Sequence, residues 1–192
     1  MRAFIAVDIS EESRRLVAER IAFLRARFSD LRAGWEKPEK LHLTLKFLGE
    51  VPEEKLPAII SAVEDAAKNI DPFPIVLEGA GAFPSRGAAR VLWLGVKDES
   101  QYLKELQKLV ETETERIGFE KERRAFKPHL TIARLKEPEK ARSLTDLHLK
   151  TEFPAINFSV SEVVVYKSDL RPTGSIYTPL ARIVLNQEKA RR

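Results

Sequence analysis

The chain has no cysteine among its 192 residues. Disulfides, thiolate catalysis and Cys-based zinc or iron–sulfur sites are therefore excluded. Methionine occurs only at position 1, and Asn and Gln number three each, while Lys, Arg and Glu are abundant. That mix leans towards a heat-adapted intracellular protein, and a cytoplasmic location is the expectation. Long apolar runs are missing too. Stretches such as Val163-Val164-Val165 fall far short of the roughly 20 residues that span a bilayer, so no membrane partner is expected. The start, Met1 to Asp8, lacks a signal peptide's apolar stretch and cleavage site. Charge of one sign barely prevails: 33 basic against 29 acidic residues leave +4, with a pI near 9.3. A polyanionic partner is favoured, but only weakly.

What is present describes an ordinary globular protein, 43% apolar and 32% charged. Its length suits one well-buried domain or two small lobes sharing an interface. Residues 2–8 read as a strand, and Ser10 can cap a helix with Glu11 and Glu12 in its first turn and Val17, Ile21, Leu24 and Phe28 inward. Residues 40–48 alternate as a strand ended by Gly49. Pro52 opens a helix with the stripe Leu56, Ile59, Val63, Ala67 and Ile70, stopped by Asp71-Pro72, and 74–83 read as a strand. The order then starts again: a strand at 90–97, a helix at 99–117 closed by Gly118, a strand at 126–134 and a short helix at 138–148. Residues 156–167 and 175–185 form a hairpin-like pair joined by a loop with Pro172 and Gly174, and the chain ends on basic Arg191-Arg192.

Strand, helix, strand, helix, strand thus occurs twice. Lys40-Leu41-His42-Leu43-Thr44-Leu45 overlays Lys127-Pro128-His129-Leu130-Thr131-Ile132 with a shift of 87 residues. Nearly the same shift brings the strand at Arg2 onto that at Arg90, and Phe83-Pro84-Ser85 falls on Tyr166-Lys167-Ser168 with a shift of 83. The expected fold is α+β: a bilobal pseudo-two-fold repeat of two antiparallel sheets flanked by helices, with a central groove. It forms a single domain over 1–192, its interleaved lobes covering approximately 1–86 and 87–192.

Strand side chains alternate between faces. Lys40, His42 and Thr44 then share one face, as do Lys127, His129 and Thr131, with Leu and Ile behind them. A pseudo-two-fold axis would bring both imidazoles to one groove. That suits a phosphodiester, since in-line displacement at phosphorus needs a base on the attacking oxygen and an acid on the leaving one. Histidine can do either near neutral pH. Each Thr can donate to a non-bridging oxygen, and no metal or other cofactor is needed. A lone strand histidine is most often structural or exposed. Packing, however, gives a repeated strand no reason to keep both His and Thr on its polar face. His148 has no Thr partner and reads as an ordinary surface or helix-end residue.

His42-Leu43-Thr44-Leu45 and His129-Leu130-Thr131-Ile132 resemble the two H-x-T-x signatures of the 2H phosphoesterase superfamily. The flanks Arg2 to Val7, Leu41 to Gly49, Phe83-Pro84 with Arg90 to Trp93, Pro128 to Arg134, and Ser168 to Tyr177 resemble, more narrowly, the RNA 2',3'-cyclic phosphodiesterases historically called 2'-5' RNA ligases. The resemblance implies hydrolysis of a 2',3'-cyclic phosphate at an RNA 3' end, tRNA fragments among the candidate substrates, to a 2'-phosphate. It also implies that His42 protonates the leaving 3' oxygen and His129 deprotonates water. The near-identical frames leave that assignment open by themselves. Thr44 and Thr131 would hold the phosphate, and Arg134 takes the place of a basic residue following the second motif.

Arg134 breaks the symmetry, because Phe47 is its counterpart. Core packing is the expectation for Phe47, against stacking on a base. Arg134 could neutralise the phosphate or form a salt bridge at the strand end. Lys40 and Lys127 are candidates to flank the groove, against the commoner outcome of solvated lysines. Two rival functions remain: 2'-5' ligation, in which water competes in vast excess, and a non-catalytic RNA-end-binding module, which has no use for paired acid–base histidines. Neither a P-loop nor a lysine-nucleotidyl motif supports ATP-driven ligation, and no Asp/Glu/His cluster has metal-ligand spacing. A site built inside one chain needs no partner, so a monomer is expected.

Overall fold

The computed structural model describes residues 1–171 and 174–186; Pro172 of the expected loop and the basic Arg191-Arg192 lie outside the described residues. Strand β1 (Arg2–Asp8) leads into helix α1 (Glu11–Arg27). The Ser10 hydroxyl accepts from the Ser13 amide at 3.1 Å, satisfying one of the free N–H groups of the first turn. Acidic Glu11 and Glu12 at its start and Arg25 and Arg27 at its end complement the dipole. Val17, Ile21 and Leu24 are buried as their spacing predicts, and Phe28, the C-cap, is half-buried.

A short strand β2 (Ala33–Trp35) follows, then a 3-10 turn at Pro38–Lys40, β3 (His42–Glu50), α2 (Leu56–Ala67), β4 (Phe73–Phe83), β5 (Val91–Lys97), α3 (Tyr102–Arg116), β6 (His129–Leu135), α4 (Arg142–Lys150), β7 (Ile156–Val160), β8 (Glu162–Asp169) and β9 (Ile176–Val184). Pro52 precedes a 3-10 turn at Glu53–Lys55 instead of opening α2 directly. Helix α3 begins later than expected because Asp98 caps it from outside: its Oδ2 accepts from the Leu103 and Lys104 amides at 3.0 and 3.2 Å. Both motif strands start at their histidines. Lys40 closes the 3-10 turn begun by Pro38, and Pro128, lacking an N–H, cannot add a donor to the ladder before His129. The expected strand 156–167 is two strands parted at Ser161, and they join different sheets.

The sheets are antiparallel, ordered β3-β1-β8-β9 and β2-β6-β5-β4-β7. Strand β4 precedes residue 86 yet sits in the second sheet, while β8 and β9 return to the first. The lobes therefore interleave, and the boundary expected near 86 and 87 falls inside the second sheet, between β4 and β5. Pairing verifies the repeat. Thr44 faces Ala6 and His42 faces Asp8; Thr131 faces Trp93 and His129 faces Gly95. The first strands thus also overlay at a shift of 87. Phe4 pairs with Tyr166, and Val91 with Phe83, which puts Phe83 on Tyr166 as the sequence repeat predicts.

One apolar core runs beneath both sheets, including Ile5, Val17, Leu43, Val63, Leu92, Val110 and Leu130. A second, small cluster of Phe4, Ala6, Val164 and Tyr166, with Tyr177 against it, covers the opposite face of the first sheet. His42 stands on that aromatic floor, 4.8 Å from Phe4 between ring centroids.

Candidate active site

Each imidazole is oriented by a carbonyl two residues earlier. His42 Nδ1 lies 2.6 Å from the Lys40 carbonyl and His129 Nδ1 lies 2.7 Å from that of Lys127. A carbonyl can only accept, so both Nδ1 atoms carry hydrogen and both Nε2 atoms are left for chemistry. His42 Nε2 is 3.1 Å from the Thr44 hydroxyl. The two lysines thus serve through their backbones. Lys40 is not on the motif strand; its ammonium donates to the Ser175 carbonyl and lies 5.9 Å from the Tyr177 ring centroid. Lys127 is exposed ahead of β6.

Aromatic walls flank both histidines, and of these rings Tyr166 and Phe83 are equivalent in the repeat. His42 meets Tyr177 edge-on at 5.3 Å and Tyr166 at 6.1 Å; His129 meets Phe83 edge-on at 5.0 Å and Trp93 at 6.1 Å. The Trp93 ring covers Gly81, where a Cβ would stand 2.0 Å from a ring carbon; only glycine admits this contact. Behind His42, Asp8 accepts from Tyr166 at 2.7 Å and from Arg182 at 3.0 Å. Arg14 donates to the Pro38 and Leu41 carbonyls at 2.8 and 3.1 Å and pins the turn that carries the Lys40 carbonyl. Burial pushes the His42 pKa below its ordinary value; the Lys40 carbonyl and Asp8 offset this in part, and Arg14 and Arg134 reinforce it.

Two residues on the histidine-bearing faces of β3 and β6 depend on a β-bulge that occurs in both copies. Ile5 pairs with Lys46 and Ala6 with Thr44, which leaves Leu45 over; Leu92 pairs with Ala133 and Trp93 with Thr131, which leaves Ile132 over. An extra residue reverses the alternation beyond it. Lys46 and Ala133 accordingly turn inward and are buried, while Phe47 and Arg134 turn outward. Phe47 is therefore no core residue: it is 71% exposed, 6.1 Å from Phe4. Arg134 carries a loose salt bridge to Glu36 at 3.9 Å and is near enough to His42 to lower its pKa. Strands β3 and β6, in different sheets, pass within 8 Å of each other at Cα. The signal was present in the sequence: unbroken alternation from His129 would have put Arg134 in the core.

The inward turn of Lys46 has its own consequence. Its ammonium is buried, pairs with Glu111 of α3 and donates to the Glu120 carbonyl at 2.7 Å. His148 lies in the last turn of α4, as one of the two expectations had it, but it is not on the surface. It is wholly buried, its Nε2 donating to the Trp93 carbonyl at 3.0 Å. Its carbonyl, with those of Thr151 and Glu152, accepts from Arg20, which caps the end of α4 from α1. Glu36, overlooked in the sequence, continues the pairing of β2 through its amide, bonded to the Ile132 carbonyl at 2.9 Å. Among the described residues, no helix is long and apolar enough to cross a membrane, and no His, Asp and Glu residues group as metal ligands.

A bilobal fold carrying one H-x-T strand in each sheet defines a class, and comparison names it: residues 13–172 match the 2'-5' RNA ligase superfamily, and the chain belongs to that family. An RNA 2',3'-cyclic phosphodiesterase of Methanothermobacter thermautotrophicus is 38% identical over 94% of this chain and 96% of its own. Another of that name, from Thermotoga maritima, is 36% identical over 94% and 93%. Among solved structures, a protein of Thermus thermophilus superposes with a TM-score of 0.79 at 30% identity, covering 97% of this chain and 98% of its own. E. coli LigT in complex with 3'-AMP gives 0.72 at 29%, with the same coverage.

Proposed function

We propose that this protein hydrolyses the 2',3'-cyclic phosphodiester at an RNA 3' end, leaving a 2'-phosphomonoester, by acid–base catalysis between His42 and His129 without a metal. One observation carries the reading: two imidazoles at equivalent places of the repeat are oriented alike by the Lys40 and Lys127 carbonyls. The activity agrees with that of the curated relatives.

His42 donates a proton to the leaving 3' oxygen and His129 takes one from the attacking water, as the family resemblance assigns them. An acid must be protonated, and burial works against that in the free site. An arriving phosphate supplies the missing counter-charge, since an anion close to an imidazole favours its charged form. Thr44 and Thr131 donate to the non-bridging oxygens and Arg134 neutralises their charge. Phe47, exposed beside Phe4, offers a ring on which the terminal base stacks. The protein works as a cytoplasmic monomer without cofactor, on RNA ends such as those of tRNA fragments. The test is product chemistry: an oligonucleotide with a cyclic end, treated in EDTA, should give a 2'-phosphate. A 3'-phosphate would mean that the other bond breaks, and complete dependence on divalent metal would overturn the mechanism.

The family's description favours a second reading, joining of RNA ends through a 2'-5' linkage. It uses the same residues in reverse, and water outcompetes an RNA hydroxyl unless both ends are held.

A further inference from the structure

Glu36 is a carboxylate beside Arg134, the guanidinium that the proposed function places at the phosphate. Its side chain is only 21% exposed, and Arg134 Nε is 3.9 Å away. Lys40 and Arg134 both act on it electrostatically, and it acts in turn on the Tyr177 phenol, whose ring is 5.3 Å from that of His42. Burial nevertheless raises its pKa, with the two cations opposing. Glu36 does not clamp Arg134: charge-assisted bonds run about 2.7–2.9 Å, and the Arg134 side chain stays 61% exposed. What the carboxylate adds to the groove is negative charge in a partly desolvated place, where charge acts more strongly than in open water.

We propose that Glu36 determines specificity by charge, weakening the hold on the 2'-phosphomonoester product more than on the cyclic substrate and so favouring release. This rests on the function proposed above. A cyclic phosphodiester carries one negative charge; a phosphomonoester carries about 1.5 to 2 at pH 7, its second pKa being about 6. Repulsion scales with that charge, so the product feels up to about twice the penalty. Arg134 and the Thr hydroxyls attract both species, and Glu36 sets the difference between them.

The test compares an oligonucleotide ending in a 2',3'-cyclic phosphate with the same oligonucleotide ending in a 2'-phosphate, at pH 7.5. Turnover of the cyclic end by the wild-type protein tests the parent reading separately; its absence would sink that reading and this one together. Given turnover, Glu36→Gln should lower the product inhibition constant about tenfold and KM for the cyclic end about threefold. Glu36→Asp, which keeps the charge, should retain the wild-type ratio of the two. The product gain should persist in an Arg134→Gln background. Equal gains for both ligands, weaker product binding in Glu36→Gln, loss of the gain without Arg134, or Glu36→Asp behaving like Glu36→Gln would each overturn the proposal and leave Glu36 a support for Arg134.

Discussion

Phe47 and Arg134 occupy the same place on β3 and β6, each two residues beyond a bulged residue, Leu45 or Ile132. One bulge, kept in both copies, turns an aromatic ring out at one place and a guanidinium out at the other. The scaffold is thus symmetric to the level of strand register, while the surface it presents is not. On the function proposed above, the substrate, with a flat base and a charged phosphate, is asymmetric in the same sense.

Substitution of the histidines separates chemistry from binding. His42→Ala and His129→Ala should each lower turnover by about 10²–10⁴. The double variant should lose far less than the product of the two, because groups acting in one step are not additive. Binding of a non-hydrolysable end analogue should survive each single change. Near-normal turnover in either, with an unchanged melting temperature, would reduce the repeated frame to architecture.

Phe47→Ala should raise KM for oligonucleotide substrates by the loss of one stacked base, about 1–3 kcal/mol. Because the ring is exposed, thermal stability should stay nearly constant. A large drop in melting temperature with an unchanged KM would return Phe47 to a packing role.

The pH dependence of kcat/KM reports groups of the free enzyme. Desolvation, Arg14 and Arg134 hold His42 below its ordinary value, so the limb of the profile that belongs to His42 should lie below about 6.5. Arg134→Gln removes one depressing charge and should move that limb upward. For kcat the bound phosphate should carry it higher than for kcat/KM. A wild-type kcat/KM profile with both limbs above neutrality would contradict a depressed His42 acting as acid.

His148 gives a stability prediction instead of a catalytic one. Burial depresses its pKa to about 4, below the unfolded value of about 6.5. Between these the unfolded chain binds the extra proton, so stability rises with pH there and is lost as pH falls from about 6.5 to about 4. The loss amounts to at most about 3 kcal/mol. Urea melts of the wild type and His148→Gln across that window should differ in slope, the variant being the flatter. Equal slopes would mean that His148 is not buried in neutral form.

The duplicated Lys-x-His-Leu-Thr frame, the helix stripes and the twofold order of elements were all legible in the chain. Local periodicity, Ser10 at a helix start and identity at a shift of 87 residues are properties of neighbouring residues and of simple repetition. Strand β2 escaped notice because three residues cannot display an alternation. The break at Ser161 escaped notice because no glycine or proline marks the place where the chain changes sheets.

Tertiary structure decided the rest. Whether Phe47 lies in or out depends on one unpaired residue, Leu45, which only pairing with β1 reveals. His148 is buried because α4 packs it onto the backbone of Trp93, 55 residues away in sequence, and Glu36 meets Arg134 because β2 pairs with β6. Patterns along a strand establish which side chains share a face. Which faces meet, and where a ladder slips by one residue, depends on hydrogen bonds and packing between segments distant in the chain, and the outward placement of Phe47 and Arg134 arises from those contacts.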